Sequence, residues 1–317
     1  MLRDSHDRRI PGLVPTVAVI GEALIDVMVG ADGVELRRPG GSPMNVSFGL
    51  ARMGVPTRLI TSIGDDGDGH QIVAHLQSAG VKLDAASVVP GAVTSTASAV
   101  VGRDGSPSYS FDLSWDLPAE SRLPAEYGVI HTGSIAAVLS PGADRTLELF
   151  RSARGEAIRS FDPNIRPSIT PDRDMVRARV EQFIACTDVL KLSDEDAAWL
   201  QPDKDEAAVV DWALGLGVKF FVMTRGARGC TVVTPSQQIV QGAVPTRVAD
   251  TIGAGDAFMS ALLAGLSRWG LLDLLRHDGI SESDLSRLAA LAARAASLAV
   301  AQVGAQPPTW AQVRSAA

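Results

Sequence analysis

Cysteine is nearly absent from this 317-residue chain. Cys186 and Cys230 are too far apart for a Cys-x-x-Cys pair and too few for a disulfide framework or a thiolate zinc site. Both read as small buried hydrophobes, and a reducing cytoplasm is the compartment that fits such usage. Positive charge is also short: the formal net charge is −7, so no surface-wide field gathers the phosphates of nucleic acid or of anionic lipid. Neither a nucleic-acid nor a membrane partner is expected. The longest apolar run, Leu288 to Ala301, is mostly alanine, carries Arg294 and falls short of the roughly 20 residues that span a bilayer. It reads as a buried helix. Residues 1–14 lack the apolar core of a signal peptide and read as a flexible tail.

The usual nucleotide signatures are missing too. None of the four lysines, Lys82, Lys191, Lys204 and Lys219, is followed by the Ser or Thr of a P-loop, and no Gly-x-Gly-x-x-Gly follows the first apolar run. A nucleotide, if bound, is bound by another route. The five histidines show no metal-ligand spacing, and His131 reads as a packed strand-end residue. The five tryptophans are scattered and read as core or interface.

What is present is the composition of a globular enzyme, with 46% hydrophobic and 21% charged residues. Short β-branched runs at Thr16–Gly21, Gly128–Thr132, Ile158–Phe161, Val189–Leu192 and Lys219–Thr224 alternate with helical patterns at Pro43–Met53, Gly69–Ala79, Asp144–Ala153, Asp172–Ala185 and Asp205–Leu216. That alternation predicts one α/β domain over 15–317, a central, mostly parallel sheet with helices on both faces. Val93–Val101 and Ser108–Leu113, around the turn Asp104-Gly105, predict an antiparallel hairpin; with a strand at Val34–Arg37 they make a small β-sheet lid inserted at about 31–40 and 92–114.

Two stretches carry chemistry. Asp250-Thr251-Ile252-Gly253-Ala254-Gly255-Asp256 opens a helical run, where backbone amides and the helix dipole converge on an anion. Alone, Asp256 reads better as a residue that merely complements that dipole, because Gly-rich helix starts are common. Pro39-Gly40-Gly41-Ser42-Pro43-Met44-Asn45 removes side chains where a ligand approaches backbone and adds an amide that both donates and accepts. Alone, it is a Gly-Gly turn leading into a helix.

In this order and spacing the two stretches resemble the paired signatures of the ribokinase-like (PfkB) carbohydrate kinases. The resemblance covers nearly the whole chain and is greatest to the fructokinase branch, through His131-Thr132-Gly133-Ser134, Asp162-Pro163-Asn164-Ile165-Arg166 and Lys191-Leu192-Ser193-Asp194-Glu195. It implies transfer of the γ-phosphoryl of MgATP to a sugar hydroxyl, with D-fructose giving fructose 6-phosphate as the leading case. It implies that Asp256 is the base and that Gly253, Ala254 and Gly255 hold the moving phosphoryl group. Sugar binding falls to Asp26, Gly40, Gly41 and Asn45, with Arg166 reaching either a sugar oxygen or a phosphate. Nucleotide contacts fall to Thr224, Gly226 and Gly229, with Lys191 and Ser193. Where many relatives carry Asn-x-x-Glu to organise Mg2+ through water, this chain has Ser193 and Asp196, with Glu195 beside them. Asp250 and the Ile252 carbonyl match a monovalent-cation (K+) site of some relatives.

Other readings follow from the same residues. A 2-keto-3-deoxygluconate kinase or a ribokinase-type enzyme shares the fold, but Ser108–Leu113 has no arginine for a substrate carboxylate, which favours a neutral sugar. A non-catalytic sugar-binding regulator is the reading outside enzymes, and the Gly-Ala-Gly-Asp sequence argues against it. Relatives pair through their lid sheets, so a homodimer is the expected assembly.

Overall fold

A strand whose successive residues are all apolar needs cover on both faces. In β1 (Val17–Ile20) each of the four side chains is fully buried. The computed structural model describes residues 14–30, 34–101, 107–153 and 157–315. Its main sheet joins β1 to β4 (Thr57–Ile60), β6 (Lys82–Leu83), β10 (Val129–Gly133), β11 (Ile158–Asp162), β12 (Val189–Ser193), β13 (Phe220–Thr224), β14 (Cys230–Val233) and β15 (Gln238–Gln241). The spatial order is β15-β14-β13-β12-β11-β10-β1-β4-β6, parallel from β13 to β6 and antiparallel at β14 and β15. This is the expected α/β architecture. The final antiparallel pair was not foreseen, because Gln238–Gln241 alternates exposed and half-buried residues at a sheet edge and carries little apolar signal.

Helices cover the two faces. On one lie α1 (Ser42–Arg52), α2 (Gly67–Ala79), α7 (Ala254–Arg268), α8 (Leu272–Arg276), α9 (Glu282–Val300) and α10 (Trp310–Ser315). On the other lie α3 (Gly142–Arg151), α4 (Arg173–Ile184), α5 (Asp194–Leu200) and α6 (Glu206–Gly215). Alternate residues of one strand feed the two cores: Phe220 and Val222 pack with the first set, Phe221 and Met223 with the second. The run Leu288–Ala301 falls on the C-terminal part of α9 and its cap, burying Leu288, Ala289, Leu291 and Ala292 but leaving Ala290 and Ala301 exposed, and among the described residues no helix is long and apolar enough to cross a membrane. Cys230 is buried as expected, whereas Cys186 is only half-buried, at the end of α4. Of the tryptophans, Trp115 is the one fully in the core.

The small sheet has the order β3-β2-β8-β9, from β2 (Leu24–Val29), β3 (Glu35–Gly40), β8 (Thr96–Val101) and β9 (Pro107–Asp112). A separate ribbon pairs β5 (Ile63–Gly64) with β7 (Val88–Val89). The hairpin β8–β9 is antiparallel as expected; its turn at Asp104-Gly105 lies outside the described residues, as does most of the expected tail. One expectation is corrected. The lid is not built from the two insertions alone, because β2, directly after β1, is one of its two inner strands. Ile25 and Val27 point into the core while Asp26 and Met28 point to the open face, a period-2 pattern that Gly21 separates from β1.

β1 is flanked by β10 and β4, so the chain reverses its direction of travel across the sheet between β1 and β10. Such a reversal opens a crevice at the C-terminal strand ends. The motif residues gather at that crevice.

Candidate active site

Gly253 caps α7 from the left-handed region, at φ 75°, and no side chain caps the helix. A Cβ at Gly253 would sit 2.8 Å from that of Ala305, so the turn requires glycine twice over. The Ala254 amide reaches back to the Thr251 carbonyl at 3.3 Å, which closes the turn. The uncapped first turn then presents backbone N–H groups at the positive end of a fifteen-residue helix. Asp250 steadies the approach: its Oδ1 accepts from the Ile252 amide at 3.0 Å and its Oδ2 from the Gly304 amide at 2.8 Å. The Ile252 side chain is exposed.

Asp256, in the first turn of α7, is buried and is held from α1. Ser42 Oγ donates to its Oδ1 at 2.6 Å, and Asn45 Nδ2 donates to its Oδ2 at 2.8 Å. The Gly-Gly stretch and the Gly-Ala-Gly-Asp stretch thus meet at one carboxylate, although 211 residues separate Asn45 from Asp256. Burial raises the Asp256 pKa, the Ser42 and Asn45 hydrogen bonds oppose the rise, and Asp162 adds to it. Gly41 at φ 105° caps α1, and a Cβ there would press within 2.7 Å of the Glu22 carbonyl. The Asp26 carboxylate lies against the α-carbon of Gly40, where any side chain would collide with it. Burial, then the Asp256 charge, push Asp26 up to about 6, with Arg166 opposing. Arg166 is exposed, donates to the Ile165 carbonyl at 3.0 Å and stands within electrostatic reach of Asp26.

The rim continues along the strand ends. Asp162 ends β11, Ser193 ends β12, and Thr224 lies opposite Ser193 in the β12–β13 register. Lys191 is buried and its Nζ pairs with Asp162 Oδ2 at 2.6 Å. A Cβ on Gly255 would sit 3.5 Å from that ammonium, so the charge underlies the anion hole. Burial opposes the charge of Lys191, but Asp162, then Asp196 and Asp256, hold its pKa above the usual lysine value. His131 is buried near it and hydrogen-bonds Ser160 Oγ at 3.1 Å; burial and Lys191 push it down to about 3, so it stays neutral.

Asp196 closes a capping box with Ser193 and also accepts from the Ile165 amide at 2.9 Å, tying α5 to the loop that carries Arg166. Burial, then Asp162, raise its pKa. Glu195, one residue earlier on α5, is exposed and does not share the buried position of Asp196. Thr224 Oγ1 leans on the Leu192 carbonyl at 3.4 Å. The two glycines after it differ. Gly226 has open space around its α-carbon, while Gly229 is pressed against the backbone of Gln241. Gly229 is therefore required by packing under β15, and the expected approach of a ligand is open at Gly226.

Sequence reasoning missed three residues. Asp162 was read only as part of a motif, yet it holds Lys191 and has an Oδ1 that is buried without a hydrogen-bond partner. Ser42 was passed over inside the Gly-Gly stretch. Glu22 follows β1 at the crevice, where its Oε2 accepts from the Ala136 amide at 3.2 Å and its carboxyl bonds the Ser134 side chain. Ser134 sits at φ 56°, a strained backbone that this contact helps to hold. Two acids flanking short apolar strands, Glu22 after β1 and Asp162 ending β11, were the signal.

Burial pushes Glu22 up to about 7 from 4.5. The native state resists ionising it, so its contribution to stability is complete below about pH 4.5 and is lost as pH rises through about 7. Glu22→Gln, which mimics the protonated form, is expected to gain about 2–3 kcal/mol on the wild type across that interval. Urea unfolding at both ends of the interval reads the gain, and an unchanged difference between the two proteins would refute the assignment.

Comparison with known proteins agrees with this geometry. Residues 15–312 match the model of the pfkB family of carbohydrate kinases, and the chain belongs to that family. It is a carbohydrate kinase, a phosphotransferase of ribokinase-like fold. A fructokinase of Escherichia coli is 33% identical over 301 residues, 91% of this chain and 94% of its own length. The structure of a Xylella fastidiosa fructokinase with bound ATP superposes with a TM-score of 0.83 at 26% identity, covering 95% of this chain and 97% of that one. A double mutant of the Vibrio cholerae O395 fructokinase, bound to fructose, ADP and potassium ion, gives a TM-score of 0.78 at 25% identity, with 95% and 97% covered.

Proposed function

We propose that this kinase transfers the γ-phosphoryl group of MgATP to D-fructose, producing fructose 6-phosphate and ADP. The observation that carries the reading is the grip of Ser42 and Asn45 on Asp256, because it sets the Gly-Gly stretch beside the anion hole. A sugar resting on Asp26 and Gly40 offers its terminal hydroxyl to Asp256. Asp256 takes the hydroxyl proton, the oxygen bonds the γ-phosphorus, and the bond to the β-phosphate oxygen breaks to release ADP. The amides at Gly253 and Gly255 and the ammonium of Lys191 meet the charge carried by the transferring group. Thr224, Gly226 and Ser193 border the nucleotide, and Arg166 faces the sugar across from Asp26.

Magnesium, when bound with ATP, neutralises phosphate charge. Among the described residues no cluster of three His, Cys, Asp or Glu side chains forms a cage. The donor set still fits a hydrated ion held largely by the nucleotide, since Asp162 keeps an unpartnered oxygen and Asp196 lies within its electrostatic reach. A monovalent cation at Asp250 and the Ile252 carbonyl belongs to the same reading, as does a homodimer joined through the open lid face, where Met28 and Leu36 are exposed. A reducing cytoplasm suits the two free thiols.

A neutral sugar is favoured over a sugar acid by the carboxylates Asp26 and Asp256, which together repel an anionic acceptor. A coupled ADP-release assay with MgATP and a panel of D-fructose, ribose, 2-keto-3-deoxygluconate and adenosine tests the proposal. Fructose is expected to give the highest kcat/KM. Preference for another acceptor would replace the substrate, and ATP binding without turnover on any acceptor would favour a sugar-binding regulator.

A further inference from the structure

Arg38 lies on β3 directly opposite Asp26, so both side chains stand on the open face of the lid. It is partly buried, and among the described residues its side chain donates no hydrogen bond and forms no ion pair. Its neighbour Arg37, on the opposite face, is by contrast paired with Asp68 of α2. The Arg38 guanidinium crosses the cleft: its Nη1 lies 2.6 Å from where a Cβ on Gly304 would sit. Gly304 donates to Asp250, and the next residue, Ala305, packs against Gly253 at the cap of α7. From its place opposite Asp26, Arg38 thus reaches across to the loop that supports the cap of α7.

A half-buried guanidinium without an anion is a site in want of one, since a planar fork of N–H donors recognises phosphate or carboxylate oxygens. The cleft it overhangs ends on one side in uncapped helix amides and on the other in carboxylates. Only the first of these attracts a second negative group.

We propose that Arg38 is a lid-borne contact for the terminal phosphoryl group of the nucleotide, so that the lid reads whether that group is present. This rests on the kinase reading above and deepens it. Arg38 would add a second cation to the phosphoryl group, on the side opposite the buried Lys191. It also couples β3 to the loop that supports Gly253, so binding of the triphosphate draws the lid onto the base. Asp26 rides on the adjacent strand and is carried with it.

The test is calorimetric binding of MgATP and MgADP, without sugar, to the wild type, Arg38→Ala and Arg38→Lys. Arg38→Ala is expected to weaken MgATP about tenfold and to leave MgADP within about twofold, because one charged hydrogen-bonding contact is lost only from the triphosphate. Arg38→Lys, which keeps a point charge without the fork, falls between. With the best acceptor, Arg38→Ala loses about 10²-fold in kcat while the sugar KM stays nearly constant. Equal weakening of ATP and ADP, or of neither, overturns the proposal. So does unchanged ATP binding with selective loss of activity on 2-keto-3-deoxygluconate, which would reassign Arg38 to an acid group on the acceptor. Because the binding arm contains no sugar, a wild type that discriminates ATP through Arg38 yet phosphorylates no fructose sinks the substrate and keeps this contact.

Discussion

Asp256→Asn is expected to lower kcat by about 10²–10⁴-fold while leaving the fold and sugar binding intact, the loss typical of removing one positioned base. The substitution is mild in the folded state. Ser42 and Asn45 present an O–H and an N–H to the two carboxylate oxygens. An asparagine can keep its oxygen on Asn45 and turn its NH₂ toward Ser42 Oγ, which accepts as readily as it donates. A loss of activity with an unchanged melting curve is therefore chemical in origin. The pH profile adds a second readout. The base acts deprotonated, and burial holds Asp256 above the ordinary carboxylate value of 3.8. Activity of the wild type is expected to rise with pH along an acid limb displaced above the usual aspartate range, and the residual activity of Asp256→Asn lacks that limb. Retention of more than a tenth of the wild-type kcat would remove Asp256 from the role of base.

The parts of this site legible in the sequence are those whose chemistry needs glycine. Gly253, Gly255, Gly40 and Gly41 mark places where backbone must approach a ligand or a neighbouring chain segment, and the spacing of glycines survives in one dimension. The main sheet was legible for a similar reason: β1 and β13 are apolar runs too short for helices. What stayed hidden depends on which residues the fold brings together. Nothing in the local sequence says that Ser42 meets Asp256 across 214 residues, or that Lys191 spends its charge on Asp162. Nothing in the sequence distinguishes Arg38 from its neighbour Arg37, and only the strand register separates them by putting them on opposite faces of the lid. Gly229 shows that a glycine can answer to two demands at once, since close packing against Gln241 requires it whatever ligand it meets.

Lys191→Met is expected to damage both stability and activity, and a double variant separates the two. The Lys191–Asp162 pair is almost wholly withdrawn from solvent, with side-chain exposures of 4% and 3%. Removing the lysine strands a buried carboxylate that already has one unpartnered oxygen, which costs about 3–5 kcal/mol. Urea unfolding should show that loss. Replacing both partners, in Lys191→Met with Asp162→Asn, removes the stranded charge, and most of the stability should return because a buried ion pair contributes little net stability over neutral groups of similar shape. Activity should not return with it. The ammonium lies beneath Gly255, where the proposed reaction places the transferring phosphoryl group, and loss of such a fixed contact is expected to lower kcat by about 10²–10³-fold. A double variant that regained both stability and turnover would make Lys191 a structural counter-ion alone, leaving the anion hole to act through its backbone amides and helix dipole. A stable but inactive double variant, beside an Asp162→Asn single variant that keeps most of its turnover, assigns the Lys191 charge to the reaction, and explains why a fold would retain an ion pair that contributes so little to holding it together.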